Sequence, residues 1–343
     1  MPEIDPALFQ ENERTAPAAD GRSFACVGSL DCENGGHLGD VIIAFETWGA
    51  LNSSASNAIL IQHAISGDSH AIGWWDRMIG PGKAIDTERF FVIGHNALGG
   101  CQGSTGPGPL GSTFPKITIG DMVTAQERLL AQLGIVDLFG VAGGSMGGHL
   151  CLEWARRSRV QKAFITAGCL CHSPMQIGIN EAARQAIMRD PKWRGGDYGD
   201  DPPCDGLSVA RMIGHISYLS DASFTAKFGR NRQDGKDQFQ VESYLNYQGD
   251  KFTSRFDANS LLVLSRAIDD YECRSLEGTT TEFLVTSFTS DWLYTPAQGR
   301  AIHELALGAG AKSQFELIDL PYGHDAFLLD GEMQGAFARD FFG

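Results

Sequence analysis

Ser145 stands in the stretch VAGGSMGGHL (141–150), with Gly143 and Gly147 two positions to either side; no other serine of the chain has that spacing. A hydroxyl on a tight strand-to-helix turn can attack a carbonyl. The turn forces the serine into a strained backbone conformation. It also frees the following amide, at a helix N-terminus, to stabilise an oxyanion. Side chains two residues to either side would collide with neighbouring elements, which is why such a turn needs glycine. The apolar run FGVA (139–142) before it and the helical pattern HLCLEWARR (149–157) after it supply the strand–turn–helix context. The competing reading is a plain glycine turn in a chain with 42 glycines.

A serine nucleophile needs a general base, and the base an orienting acid. In sites of this type the chain order is serine, acid, histidine. Of nine histidines, only His303 and His324 follow the run FLVTSF (283–288). His303 lies in the helical pattern AIHELA and reads as a surface or packing residue. His324 follows Gly323 in LPYGHDAFLL, a loop just after QFELID (314–319), where the base belongs. Asp291, in SDWLYTP close behind FLVTSF, is placed to be the acid. A second oxyanion amide is expected from the loop after AILI (58–61), making the amides of Ile65 and Met146 the candidates. His63 comes too early in chain order to be the base and reads as a residue shaping that loop.

These residues must be carried by a scaffold. Short apolar runs at 41–48, 58–61, 90–94, 139–142, 163–167, 283–288 and 314–319 have the lengths and compositions of buried strands. Helical patterns alternate with several of them. Residues 118–135 place Met122, Ala125, Leu129, Leu130 and Leu133 on one face, with Thr118 as N-cap. A helix follows Ser145, and another, 326–342, closes the chain. The alternation predicts an α/β fold with a mainly parallel central sheet. Between 171 and 272 the rhythm gives way to helical and polar-aromatic patterns without a buried-strand run. The expected organisation is a catalytic core, 1–170 and 273–343, with an inserted helical lid, 171–272.

The composition is that of an ordinary globular protein, with 43% hydrophobic and 20% charged residues, not of a disordered chain. A net charge of -15 argues against a nucleic-acid backbone or an anionic membrane surface as partner. A pocket can still be locally positive, so an anionic small molecule remains compatible. The N-terminal stretch MPEIDPALFQENERTAP is acidic and polar, unlike a signal peptide, and AILI is far too short to cross a bilayer. The eight scattered cysteines read as reduced thiols, and Cys169-x-Cys171 as packing and not a metal site. The expectation is a cytoplasmic protein without a metal.

With these parts in place, the sequence resembles the homoserine O-acyltransferases of the α/β-hydrolase superfamily. The resemblance runs from about residue 40 to 330. HAISGDSH, GWWDRMIGPGKAIDT, NALGGCQGSTGPGP, FPKITIGDMV and GGSMGG fall in the family's order. So do RQAIMRDPKWRGGDY, ARMIGHISYLS, KFGR and FQVESYLNYQGDKFTSRFDANS in the helical segment, and then SDWLYTP and YGHDAFL. It implies the α/β-hydrolase fold and a ping-pong acyl transfer through Ser145, His324 and Asp291. It implies no permanently bound cofactor, acyl-CoA as co-substrate, and a homodimer packed through the lid. It assigns Arg211 to the carboxylate of homoserine, Asp325 to its ammonium and Tyr218 to a further hydrogen bond. Leu293, two residues after the catalytic Asp, stands where succinyl-using members place arginine. An apolar residue cannot pair a succinyl carboxylate, so acetyl-CoA is the expected donor, with succinyl-CoA the alternative. L-serine as acceptor stays open, since one methylene discriminates only roughly 10–200-fold. An esterase or thioesterase would use the same triad with water as acceptor. The sequence departs from the family pattern at Gly120, where arginine is usual, in a short loop 107–114, and in a shortened connection from Asp269 to Phe283.

Overall fold

The computed structural model describes residues 21–108, 110–235 and 237–343; the N-terminal stretch singled out above falls in 1–20, outside the described residues. Eight strands form one sheet: β1 (Ser23–Cys26), β2 (Ile42–Trp48), β3 (Ala58–Gln62), β4 (Phe91–His95), β5 (Leu138–Gly144), β6 (Val160–Thr166), β7 (Glu282–Phe288) and β8 (Ser313–Ile318). Their spatial order is β1-β2-β4-β3-β5-β6-β7-β8. β1 and β2 pair antiparallel, as do β2 and β4, and every other neighbouring pair is parallel. The apolar runs mark seven of these strands to within a few residues. β1 escapes them because it is a four-residue edge strand with one buried side chain.

The runs are nearly continuous because both faces of the sheet are covered. Leu60, Ile93, Val141, Ile165 and Val285 belong to one core cluster. Their strand neighbours Ile59, Ile61, Val92, Ala142, Phe164 and Leu284 belong to the other. The direction of winding reverses between β3 and β5, so the loops at their carboxyl ends diverge and leave a crevice, the usual place for a ligand in such sheets. Ser145 ends β5, and the loop carrying Ile65 leaves β3.

Helix α1 (Ile119–Gln132) starts at a capping box in which Thr118 and Asp121 satisfy each other's backbone amides. Gly120, in its first turn, has a local reason: a Cβ there would lie 2.2 Å from a Glu33 carboxylate oxygen. Glu33 accepts the Thr118 hydroxyl at 2.6 Å, filling the space a longer side chain would take. Helix α2 (Met146–Arg156) follows Ser145 directly.

Between β6 and β7 lie α3 (Pro174–Met188), α4 (Cys204–Tyr218), α5 (Asp221–Phe228), α6 (Gln240–Thr253) and α7 (Ala258–Asp270). Cys171 and Glu272 pair as an isolated bridge, so this helical segment leaves and rejoins the sheet at one point. From α7 the chain passes to β7 without a further helix, anchored by Cys273 N–H to the Leu170 carbonyl (2.9 Å) and Thr281 Oγ1 to the Val160 carbonyl (2.8 Å). After β7 come α8 (Pro296–Gly308) and, at the end of the chain, α9 (Met333–Phe342). The single closing helix expected over 326–342 is instead two pieces, Ala326–Leu329 and α9. The Asp330 carboxylate accepts the amides of Glu332, Met333 and Gln334 (3.0, 3.0 and 2.8 Å) and starts a new helix there. Among the described residues no helix is long and apolar enough to cross a membrane.

Candidate active site

Ser145 has φ 57° and ψ -124°, a conformation rare for a residue with a side chain. It is enforced by its surroundings. A Cβ on Gly143 would lie 2.6 Å from the Gln62 carbonyl oxygen, and one on Gly147 only 2.2 Å from the same atom. Both glycines therefore let β5 and α2 close against the end of β3. A buried polar network holds that end: Gln62 Nε2 donates to Gln126 Oε1 (2.8 Å), His95 Nε2 to Gln62 Oε1 (2.8 Å), and Trp154 Nε1 to Gln126 Oε1 (2.7 Å). Sequence reasoning gave these four residues no role, because each reads singly as core.

His324 and Asp291 converge from the loops after β8 and β7. His324 Nδ1 donates to Asp291 Oδ2 at 2.8 Å, and both side chains are buried. Asp291 Oδ1 accepts the amides of Leu293 (3.0 Å) and Tyr294 (2.8 Å), so the acid is fixed by its own turn. With Nδ1 committed, the proton-accepting nitrogen of a neutral imidazole is Nε2. It is buried and has no hydrogen-bond partner among the described residues. Ser145 and His324 line one cavity.

Ile65 lines that cavity too, and among the described residues neither its amide nor that of Met146 donates to a backbone carbonyl in the turns and loops. His63 ties the loop down. Its Nε2 accepts the Ala97 amide (3.0 Å), so Nδ1 carries the proton and donates to the Ala64 carbonyl (2.6 Å). His303 lies apart, on α8, with Nδ1 against Ser313 Oγ at 2.9 Å.

Arg211, Tyr218 and Asp325 line the same cavity as Ser145, of ≈ 170 Å³. The Arg211 guanidinium lies 4.7 Å from the centroid of the Phe252 ring and 5.9 Å from that of Tyr218, and donates to Ser66 Oγ at 3.2 Å. Its buried Nε has no hydrogen-bond partner among the described residues. Arg255, which sequence reasoning left without a role, brings a second guanidinium, donating to the Ser66 carbonyl at 3.1 Å. Burial, and then the nearby Arg211 charge, push Arg255 down to about 10. Among the described residues neither arginine has a carboxylate partner, so the cavity, which Lys227 and Lys251 also line, offers two guanidinium groups to an anion. The same field reaches His215: burial first, then Arg211, Lys227 and Arg255, lower it to about 2 and keep it neutral. Asp325 is raised to about 6, chiefly by burial and also by Asp291, against the lowering effects of His324, Arg211 and Lys227. A cation placed beside it would restore its charge.

Tyr294 is a further residue the sequence did not single out. Its ring stacks on His324, centroids 4.5 Å apart, and its hydroxyl donates to His172 Nε2 at 2.7 Å while lying in hydrogen-bonding reach of the Ser145 side chain. His172 Nδ1 in turn donates to Asp269 Oδ1 at 2.8 Å. Burial tends to raise Asp269, but hydrogen bonds from His172, Asn180 and Arg184 outweigh it and hold the carboxyl below its ordinary range. Leu293, buried against Cys169 and Tyr294, lines a second cavity of ≈ 70 Å³ that also reaches Ser145.

His149, Cys169 and His172 have ligating atoms within 4.8 Å of one another. His172, however, spends both ring nitrogens on Asp269 and Tyr294. Burial raises the Cys169 thiol far above the range in which it is a thiolate. Two donors, one of them protonated, do not make a metal site. The eight cysteines are free thiols.

Comparison with known proteins agrees with this architecture. Residues 57–331 match the family model described as the alpha/beta hydrolase fold. The chain is 47% identical to homoserine O-acetyltransferase of Solidesulfovibrio magneticus, over 90% of this chain and 88% of that one. Among solved structures, homoserine O-acetyltransferase from Bacillus anthracis superposes with a TM-score of 0.87 at 25% identity, covering 94% of this chain and 97% of that one. Esterase E22 superposes with a TM-score of 0.86 at 26% identity, covering 94% of this chain and 99% of that one.

Proposed function

Because the chain belongs to the homoserine O-acetyltransferases, within the α/β-hydrolase family, we propose that it transfers an acetyl group from acetyl-CoA to L-homoserine. The observation that carries this reading is one cavity in which Ser145 and His324 share walls with Arg211, Arg255 and Asp325. A hydrolase needs the first pair; an amino-acid acceptor needs the other three.

The transfer runs in two half-reactions. Ser145 Oγ attacks the thioester carbonyl carbon while its proton passes to His324 Nε2. The Asp291 carboxylate holds the imidazole in the right tautomer and stabilises the imidazolium. The oxyanion rests on the Ile65 and Met146 amides. The C–S bond breaks, and the departing thiolate takes the proton from His324 as coenzyme A, leaving an acetyl ester on Ser145. Homoserine then binds with its carboxylate towards Arg211 and Arg255, its ammonium towards Asp325, and Tyr218 adding a hydrogen bond. Its hydroxyl gives a proton to His324 and attacks the ester. Ser145 leaves and recovers that proton. No resident cofactor or metal enters these steps.

Leu293 in a buried, apolar setting supports acetyl over succinyl as the donor group. We read 171–272 as a lid over the sheet. Apolar side chains left exposed on α3, α4 and α6 (Met175, Val209, Ile216 and Tyr247) support a homodimer through that lid, in a cytoplasmic enzyme. The likeness to an esterase favours hydrolysis as the second reading. The test is CoA release from acetyl- or succinyl-CoA, with and without homoserine or serine. Release from acetyl-CoA that homoserine accelerates, with O-acetylhomoserine formed, is the expected result. Release indifferent to homoserine would leave a hydrolase, and Ser145→Ala should abolish turnover in either case.

A further inference from the structure

Two cavities meet at Ser145, and Ile65, Ser66, Arg211, Tyr218 and Phe252 line both. The larger one holds the acceptor groups: Asp325, Arg255 and His324 line it alone. The smaller one runs the other way, between α3, α4 and α7, past Leu293 and Tyr294. Its side walls are apolar, formed by Ile179, Ala183, Ile213, Leu261 and Ile268. A two-step transfer through Ser145 requires the acyl group to stand clear of the side from which the acceptor attacks. The smaller cavity is the only one of the two that satisfies this.

Its size exceeds what acetyl needs. Beyond the carbonyl carbon an acetyl group has one methyl, whereas the cavity measures ≈ 70 Å³. On that scale a single water needs about 10–15 Å³. Two arginines line the cavity: Arg211 at the end shared with the acceptor cavity, and Arg184 on the polar far wall, where no spare positive charge is left. Arg184 there is already paired with Asp269 at 2.6 Å and with Glu181 at 3.0 Å, and hydrogen bonds keep both carboxyls below their ordinary range. The Arg184 charge is thus already matched and does not invite a further carboxylate.

We propose that the smaller cavity is the acyl subsite and that the enzyme also transfers propionyl and butyryl groups from their CoA thioesters to homoserine, while rejecting succinyl. This rests on the acetyltransferase reading and extends it to a class of donors: short, uncharged, apolar acyl groups. The chemistry is unchanged. The C–S bond of butyryl-CoA breaks as an ester forms on Ser145, whose proton passes through His324 to the CoA thiolate; the ester then moves to the homoserine oxygen, whose proton passes through His324 back to Ser145. Butyryl and succinyl have the same four-carbon length, so comparing them isolates charge from size. Each further methylene buried is expected to raise kcat/KM for acylation by up to about 4-fold, the factor that the usual burial energy of a CH₂ converts to.

The experiment measures kcat/KM for acetyl-, propionyl-, butyryl- and succinyl-CoA with saturating homoserine, and identifies the acylated product by mass spectrometry. Propionyl and butyryl transfer at or above the acetyl value, with succinyl at least ~100-fold lower, is expected. Two variants of opposite sense read the wall directly. Ala183→Leu should lower the butyryl-to-acetyl ratio at least ~10-fold by filling the cavity, and Ile213→Ala should raise it by lengthening the cavity. The ratio is internal to each protein, so a loss of folded enzyme does not imitate it, and failure of one variant to fold leaves the other. Robust acetyl transfer with butyryl more than ~10-fold slower, or ratios unmoved in both variants, would overturn the proposal while sparing the acetyltransferase reading. No homoserine-dependent acetyl transfer at all would overturn both.

Discussion

Asp325 gives the sharpest quantitative test of the acceptor site. Its carboxyl is raised to about 6 because it is surrounded by protein, with Asp291 nearby and with the His324, Arg211 and Lys227 charges only partly compensating. Only the ionised form attracts the homoserine ammonium. A group titrating near 6 is about nine-tenths ionised at pH 7 and about one-tenth at pH 5. kcat/KM for homoserine is therefore expected to fall about 10-fold between those pH values from Asp325 alone, and about 10-fold per unit below. His324 serves both half-reactions, so its effect must be separated from that of Asp325. Stopped-flow release of the first equivalent of CoA, without homoserine, reports acylation and does not involve the ammonium. The quotient of kcat/KM for homoserine over the acylation rate isolates the acceptor step. It should titrate near pH 6 in the native enzyme and be flat in Asp325→Asn. That variant should also raise KM for homoserine by ~10–150-fold at pH 8, the factor corresponding to a hydrogen bond between charged groups. A quotient that does not change between pH 5 and pH 7.5 in the native enzyme would refute the assignment of Asp325. For folding the sign is opposite. A carboxyl whose folded value lies above its unfolded 3.8 favours the native state below pH 3.8, and that contribution is lost as pH rises through about 6.

Three further outcomes follow from the same geometry. Asp291→Asn, which keeps the shape but disrupts the tautomer of His324, should lower kcat roughly 10⁴-fold with little change in Tm, read by steady-state CoA release and calorimetry. Arg255→Met should raise KM for homoserine ~10–100-fold while leaving acetyl-CoA-dependent acylation within a few-fold; an unchanged homoserine KM would leave the carboxylate to Arg211 alone. Gly147→Ala must push a Cβ against the Gln62 carbonyl, 2.2 Å away. It is expected to destabilise by about 1–3 kcal/mol and to lower kcat in the remaining folded enzyme, read by denaturation midpoints and active-site titration with a serine-reactive phosphonate.

The residues legible in the sequence are those whose chemistry is announced by their own neighbours. Ser145 is flanked by the glycines its turn requires, and Asp291 and His324 each follow an apolar run long enough to be a strand. Chain order then gives them their expected roles. The inner strands are legible because burial on both faces leaves short, mostly apolar runs. Local capping at Thr118 is equally visible, since donor and acceptor are three residues apart. The broken closing helix shows where this fails: Asp330 and Gly331 fit a helix pattern as well as a break. There the capping carboxylate prevails, and a Cβ on Gly331 would lie 2.8 Å from that of Arg77 on a remote part of the chain.

Short windows and chain order thus encode the strained turn at Ser145, the placement of Asp291 and His324 behind β7 and β8, the α/β alternation and the helical segment between β6 and β7. What surrounds them is set by packing between distant parts of the chain. The hydrogen bond that joins His172 to Tyr294 spans 122 residues, that from His172 to Asp269 spans 97, and Arg255 reaches Ser66 across 189. A lone arginine, tyrosine or histidine in a connecting segment carries no periodic signal to distinguish a group aimed into a cavity from one facing water. The shape of the two cavities at Ser145 is likewise a property of how α3, α4 and α7 pack over the sheet, since a void exists only between elements and has no residue of its own in the chain.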